Sequence, residues 1–92
     1  MERIHATVKG RVQGVSFRFF VQQNASRLEL AGWVRNRLDS SVELVAEGEK
    51  GRLEELIMQL HQGPLSSRVD NVAAEWGQAS SEFSRFVIKP TR

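Results

Sequence analysis

Ile4, Ala6 and Val8 are apolar and His5, Thr7 and Lys9 are polar, an alternation that predicts a first strand from roughly Arg3 to Val12. The period then changes. Phe17, Phe20, Val21, Ala25 and Leu28 recur at helical spacing and lay one apolar stripe along a helix over about Phe17–Leu28. Phe19 falls off that stripe and is expected to cover an edge or line the preceding loop. Gly32 opens a second extended segment, Trp33–Leu38, and Asp39-Ser40 reads as a tight turn. Ser41–Glu47 returns with Val42, Leu44 and Ala46 on one face, so the two segments form a β-hairpin. Leu53, Leu56, Ile57 and Leu60 mark a second helix, which Gly63-Pro64 ends. Leu65–Asp70 is expected to be a connecting loop. Val72, Ala74 and Trp76 alternate along a fourth strand, and Phe83–Ile88 forms a short terminal one.

The order β-α-β-β-α-β with a tail strand predicts a single α+β domain over residues 1–92. Its fold class is the ferredoxin-like split β-α-β sandwich (βαββαβ), two helices on one face of a mainly antiparallel sheet. Right-handed crossovers set the first and third strands side by side in the middle, with the second beyond the third. The turn after strand one and the outgoing part of strand two then approach the same end of the sheet.

That turn, Gly10-Arg11-Val12-Gln13-Gly14-Val15-Ser16-Phe17-Arg18, leads from strand to helix with glycines at both corners. The first N–H groups of a helix lack intrahelical partners and carry partial positive charge, which suits an anion. Arg18 adds a planar fork of donors in the first turn. From these residues alone, an ordinary βα turn with a surface arginine stays open beside a phosphate site. Asn36 lies where strand two reaches that end. Its uncharged amide has donors and an acceptor and is able to hold a water beside an anion, where a carboxylate would be repelled. A polar side chain on the solvent face of the hairpin is the alternative for Asn36.

Composition narrows the field. With 40% apolar and 26% charged residues the chain has the make-up of a soluble globular domain. No apolar run approaches the roughly 20 residues needed to span a bilayer, and Met1-Glu2-Arg3-Ile4-His5 has no signal-peptide character. The chain has no cysteine, which removes thiol chemistry and fits a cytoplasmic location. A net charge of +2 with scattered basic residues gives no footprint for nucleic acid. Strand three, moreover, has no aromatic on which a base would stack. Glu43 and Glu47 share a strand face without a His or Asp to complete a metal cluster, and they read as a solvated face. His5 reads as a solvent-face strand residue, His61 as a helix-end cation, and Trp33 and Trp76 as packing residues.

Taken together, Gly10–Arg18, then Gly32-Trp33-Val34-Arg35-Asn36, then Val42 and Gly48, and Gly63-Pro64-Leu65-Ser66-Ser67-Arg68-Val69 after helix two, closely resemble the acylphosphatase family. The resemblance implies hydrolysis of the carboxyl-phosphate bond of acyl phosphates to a carboxylate and inorganic phosphate, without metal or organic cofactor. It assigns phosphate binding to Arg18 and placement of the attacking water to Asn36. The backbone of Gln13, Gly14, Val15, Ser16 and Phe17 would cradle the phosphate. Inorganic phosphate is expected to inhibit as product, with no nucleic-acid or membrane partner and a monomeric state. A non-catalytic anion-binding module, or a domain handling carbamoyl phosphate for a larger assembly, is the competing function. Ser16 occupies a variable position and has no His or Lys placed to make it a nucleophile. Two departures stand out, Ser40 and Glu29, where the family usually has glycine. Each predicts a residue in a left-handed conformation or a turn of different type.

Overall fold

The computed structural model describes residues 1–92 and contains seven elements. They are β1 (Glu2–Arg11), α1 (Phe17–Arg27), β2 (Ala31–Asn36), β3 (Val42–Gly48), α2 (Lys50–Gln62), β4 (Arg68–Gln78) and β5 (Phe86–Ile88). The sheet runs β4-β1-β3-β2-β5, with β1 and β3 central as the crossover rule requires. All pairs are antiparallel except β2–β5, so the sheet is mixed. Both helices lie on the face formed by Ile4, Ala6 and Val8 of β1 with Val42, Leu44 and Ala46 of β3, all fully buried. Val21 and Ala25 of α1 and Leu53, Leu56 and Leu60 of α2 close over them. Each fully buried leucine there contributes on the order of 1.5–3 kcal/mol.

Several boundaries differ from the sequence reading, each for a local reason. Leu65–Asp70 is not all loop, because β4 begins at Arg68. The long β1 offers Gly10 and Arg11 as partners for Val69 and Arg68, beyond an irregularity between Lys9 and Gly10. Gly10 has φ 134°, and a Cβ there would sit 2.1 Å from the Arg68 carbonyl oxygen, so only glycine permits the approach. β2 stops at Asn36. The hairpin then closes by the Arg37 N–H to the Ser41 oxygen (2.9 Å) and the Ser40 N–H to the Arg37 oxygen (3.2 Å). Leu38-Asp39-Ser40 is thus a three-residue loop with Ser40 at φ 76°, the position such loops usually give to glycine. The Asp39 carboxylate accepts from the Ser41 N–H (3.0 Å) and hydroxyl (2.6 Å), and these bonds hold it below the usual carboxylate range.

Helix α1 ends with the Leu30 N–H bonded to the Ala25 oxygen (2.9 Å) and the Glu29 N–H to the Ser26 oxygen (3.0 Å). This is a Schellman closure, and Glu29 takes its left-handed position at φ 59°. The terminal strand is shorter than Phe83–Ile88. It pairs only Phe86, Val87 and Ile88 with β2, but the tail continues the ladder. The Lys89 N–H meets the Val34 oxygen (2.9 Å), the Arg92 N–H the Asn36 oxygen (3.0 Å), and the Leu38 N–H the Arg92 oxygen (3.3 Å).

Glu43 and Glu47 share the sheet face opposite the helices, as expected, yet that face is not solvated around them: they are 8% and 6% exposed. Glu43 is held by His5 Nε2 (2.6 Å), Arg35 Nε (2.9 Å) and Arg37 Nη1 (3.0 Å). Burial pushes its carboxyl up, but the hydrogen bonds from His5, Arg37 and Arg35 outweigh it and bring the pKa to about 2. Glu47 accepts from the Ser80 N–H and hydroxyl and from the Ser81 N–H at 2.8–3.1 Å. Those bonds likewise overcome burial and lower its pKa. Trp33 lies on the same open face between Arg35 and Lys89, each 4.8 Å from its ring centroid, while Trp76 is 43% exposed.

Candidate active site

The turn after β1 is anchored at both ends by apolar burial, Val12 and Phe17 each being 1% exposed. Between them Gly14 (φ 72°) and Ser16 (φ 62°) take left-handed conformations. A Cβ on Gly14 would meet nothing within 4 Å, so conformation rather than space calls for glycine there. Ser16 precedes the helix without capping it, and no acidic residue lies in the first turn. The first helical bond is the Phe20 N–H to the Ser16 oxygen (3.0 Å). The amides from Gly14 through Phe19 therefore reach no protein acceptor, and they line a concave run of partial positive charge. Arg18 adds a full charge to it. The basic residues engaged in ion pairs are Arg3, His5, Arg27, Arg35, Arg37, Arg52 and Arg68, so Arg18 is not neutralised by a carboxylate.

Asn36 reaches the same place from the sheet. Side chains alternate along a strand, so Asn36 shares a face with Val34, which is fully buried beneath the helices. Its partner in register is Val42, another fully buried residue. The amide thus points inward, under the start of α1, rather than to the solvent side of the hairpin. Its Oδ1 is buried and has no hydrogen-bond partner. An unsatisfied buried acceptor costs about 1–3 kcal/mol and is rare enough to call for an explanation.

Both features open on one depression of about 390 Å³, lined by Val12, Gly14, Ser16, Phe17, Arg18, Phe19, Asn36 and Ile88. Gly14, Ser16, Phe17, Arg18 and Asn36, all singled out in the sequence, therefore meet here. Val15 instead packs against the core. The Gln13 side chain turns to the hairpin, where Nε2 donates to the Arg37 and Ser41 oxygens, both at 2.8 Å. Phe19 does line the loop, as its position off the stripe suggested. Ile88 was not foreseen as a lining residue, nor was the tail beside Asn36. An apolar residue at the last position of a strand was the only available signal.

The fold and this geometry define a class: a ferredoxin-like α+β domain with a turn of unbonded backbone amides facing an unpartnered side-chain amide at one end of its sheet. Comparison with known proteins narrows it. The family model for acylphosphatase matches residues 4–88. An acylphosphatase from Salinibacter ruber is 46% identical over 88 residues, covering 96% of this chain and 93% of that protein. The crystal structure of acylphosphatase from Bacillus subtilis superposes with a TM-score of 0.94 at 38% identity, covering 97% of this chain and 99% of that one. The acylphosphatase structure from Coxiella burnetii gives 0.89 at 42% identity, over 96% and 93% of the two chains. The chain belongs to the acylphosphatase family and is an enzyme of that family.

Proposed function

We propose that this enzyme hydrolyses the carboxyl-phosphate bond of a small-molecule acyl phosphate by in-line attack of a water on phosphorus. The observation that carries the reading is the buried, unpartnered Asn36 Oδ1 beside the free amides of the turn. A half-turn of the Asn36 amide presents Oδ1 to the depression, where a water donating one proton to it has a lone pair directed toward a phosphate seated on the turn. The amides of Gln13–Phe17 and the Arg18 guanidinium receive the equatorial oxygens, whose charge redistributes in a loose transition state. The water oxygen bonds to phosphorus, the P–O bond to the acyl group breaks, and a phosphate oxygen takes the second proton. The leaving carboxylate is a weak base, with a pKa of roughly 4–5, and needs no general acid. The depression offers no carboxylate to hold a divalent cation, so charge compensation falls to Arg18 and the amides.

Every group in this scheme comes from one chain, which supports action as a monomer on a diffusible substrate. No helix is long and apolar enough to cross a membrane. The lack of cysteine fits work in the cytoplasm.

The test is hydrolysis of an acyl phosphate by wild type, Arg18→Ala and Asn36→Ala with a chelator present. Asn36→Ala should lower kcat by about 10²–10³, the scale of one lost transition-state contact, with little change in KM. Removing an unsatisfied acceptor should leave its Tm unchanged or raised. Arg18→Ala should raise KM and weaken competitive inhibition by phosphate. Full activity in either folded variant refutes the assigned role. A folded wild type that binds phosphate but leaves acyl phosphates intact would instead be an anion-binding module.

A further inference from the structure

Asn36 lines the depression, so its neighbours along the chain, Arg35 and Arg37, point the other way, onto the open face of the sheet. Both guanidiniums end there on one atom. Arg35 Nε (2.9 Å) and Arg37 Nη1 (3.0 Å) donate to Glu43 Oε1, while Glu43 Oε2 is held by His5 Nε2 (2.6 Å). Arg35 and Glu43 are partners in register, and His5 stands on β1, on the other side of β3. A line of charged bonds therefore crosses three strands, from the middle of the sheet to the two residues that bracket Asn36. The Glu43 and Arg35 side chains are 10% and 16% exposed, so their bond is sheltered from water, where a charge-assisted hydrogen bond is strongest. Without the carboxylate, the two guanidiniums would be left as like charges on one face.

Burying a carboxylate on this face does not by itself demand such an arrangement. Glu47 is buried there too, but it lies in register with Ala31 at the far end of β2, and its hydrogen bonds go to Ser80 and Ser81. Only Glu43 grips the residues on both sides of Asn36. We infer that Glu43 is a positioning residue for the hydrolysis, acting through Asn36 from the far side of the sheet. By holding Arg35 and Arg37 together it fixes the backbone between them, and with it the line along which the Asn36 side chain enters the depression. The inference rests on the reading that Asn36 holds the attacking water. Glu43 does not border the depression, so its loss should disturb the water and spare the phosphate.

The experiment measures kcat, KM and inhibition by inorganic phosphate for acetyl phosphate hydrolysis in Glu43→Gln, with Glu47→Gln as the control for loss of a buried carboxylate. The new amide keeps the shape of Glu43 but lacks the charge that both guanidiniums share. Its kcat should fall about tenfold, short of the roughly 10²-fold that a 1 Å misplacement can cost, with KM and phosphate inhibition within about twofold of wild type. Glu47→Gln should melt lower yet keep kcat within about twofold. Arg37→Met cuts one of the two ties at a side chain 41% exposed, and its kcat should fall about threefold; it decides alone if Glu43→Gln does not fold. In an Asn36→Ala background, Glu43→Gln should cost no further activity. Wild-type kcat in the folded variants, an equal loss in Glu47→Gln, or a further loss in the Asn36→Ala background overturns the inference while the reading of Asn36 stands. Full activity in folded Asn36→Ala overturns that reading, and this inference with it.

Discussion

The Gln13 side chain provides the sharpest test of how the site is held together. Its amide uses both protons on the hairpin, one to the Arg37 oxygen and one to the Ser41 oxygen, each at 2.8 Å. Arg37 directly follows Asn36, so these bonds tie the turn after β1 to the strand end that carries the unpartnered amide. Each is a neutral hydrogen bond worth about 0.5–1.5 kcal/mol. Both carbonyls also accept a backbone N–H from Ser40 or Arg37, so Gln13→Ala does not leave them bare. The expected cost is therefore about 2 kcal/mol rather than a full desolvation penalty. If the turn and Asn36 lose register by that amount, kcat/KM falls about 10- to 30-fold. In a domain of this size, Tm drops on the order of 10 °C if the clamp contributes to global stability. The decisive comparison is Gln13→Glu at neutral pH. A carboxylate only accepts, and here it faces two acceptor oxygens, so this nearly isosteric variant should be worse than alanine in both kcat/KM and Tm. Acyl phosphate turnover and thermal melting of the three proteins decide the matter. A glutamate variant equal to or better than alanine, or an alanine variant with wild-type kcat/KM, refutes the clamp.

Other consequences follow from groups away from the depression. Glu43 has a folded pKa of about 2 against an ordinary 4.5, so its contribution is fully present above pH 4.5 and is lost as pH falls toward 2. That contribution is worth about 3 kcal/mol, and Glu43→Gln should flatten the acid limb of stability measured by urea unfolding between pH 2 and 7; an unchanged limb refutes it. Ser40→Gly should raise Tm by about 4–8 °C, because relieving a left-handed L-residue returns roughly 1 kcal/mol or more. Glu29→Gly relieves the same strain but loses an exposed ion pair with Arg52, worth at most about 1 kcal/mol, so its gain should be smaller; unchanged or lower Tm in both would show that neither position is strained.

The period of the apolar residues was enough to place both helices and the strands, because each element buries one regular face on a single core. It was not enough where the outcome depends on what a distant segment does. Glu43 and Glu47 look like residues on a wet face, since nothing local marks them as covered. Their partners His5, Arg35, Arg37, Ser80 and Ser81 come from β1, β2, the hairpin and the segment before β5. The start of β4 was hidden for a related reason: only the Gly10 conformation in another strand lets Arg68 and Val69 pair. The turn and Asn36 were legible as a pair of spaced motifs, but the inward direction of the Asn36 side chain follows from its register with Val42. Ser40 and Glu29 could be judged from sequence because left-handed backbone penalises any residue with a Cβ, whatever surrounds it.

That inward amide also explains why so small a domain can keep a buried acceptor unsatisfied. β3 pairs with Asn36 on one side of β2, and the tail bonds its carbonyl on the other through the Arg92 N–H at 3.0 Å. β2 ends there, yet Asn36 is flanked like an interior position, and its backbone has little freedom to turn the side chain toward water. The turn opposite is fixed separately, by the burial of Val12 and Phe17 and by the Gln13 bonds. Two separate supports thus hold an acceptor and a set of donors apart with neither satisfied. A chain selected for stability alone would let them collapse together or replace Asn36 with an apolar residue. On the proposed mechanism, holding them apart preorganises the space between, so the reorganisation cost of catalysis would be borne in folding rather than at each turnover.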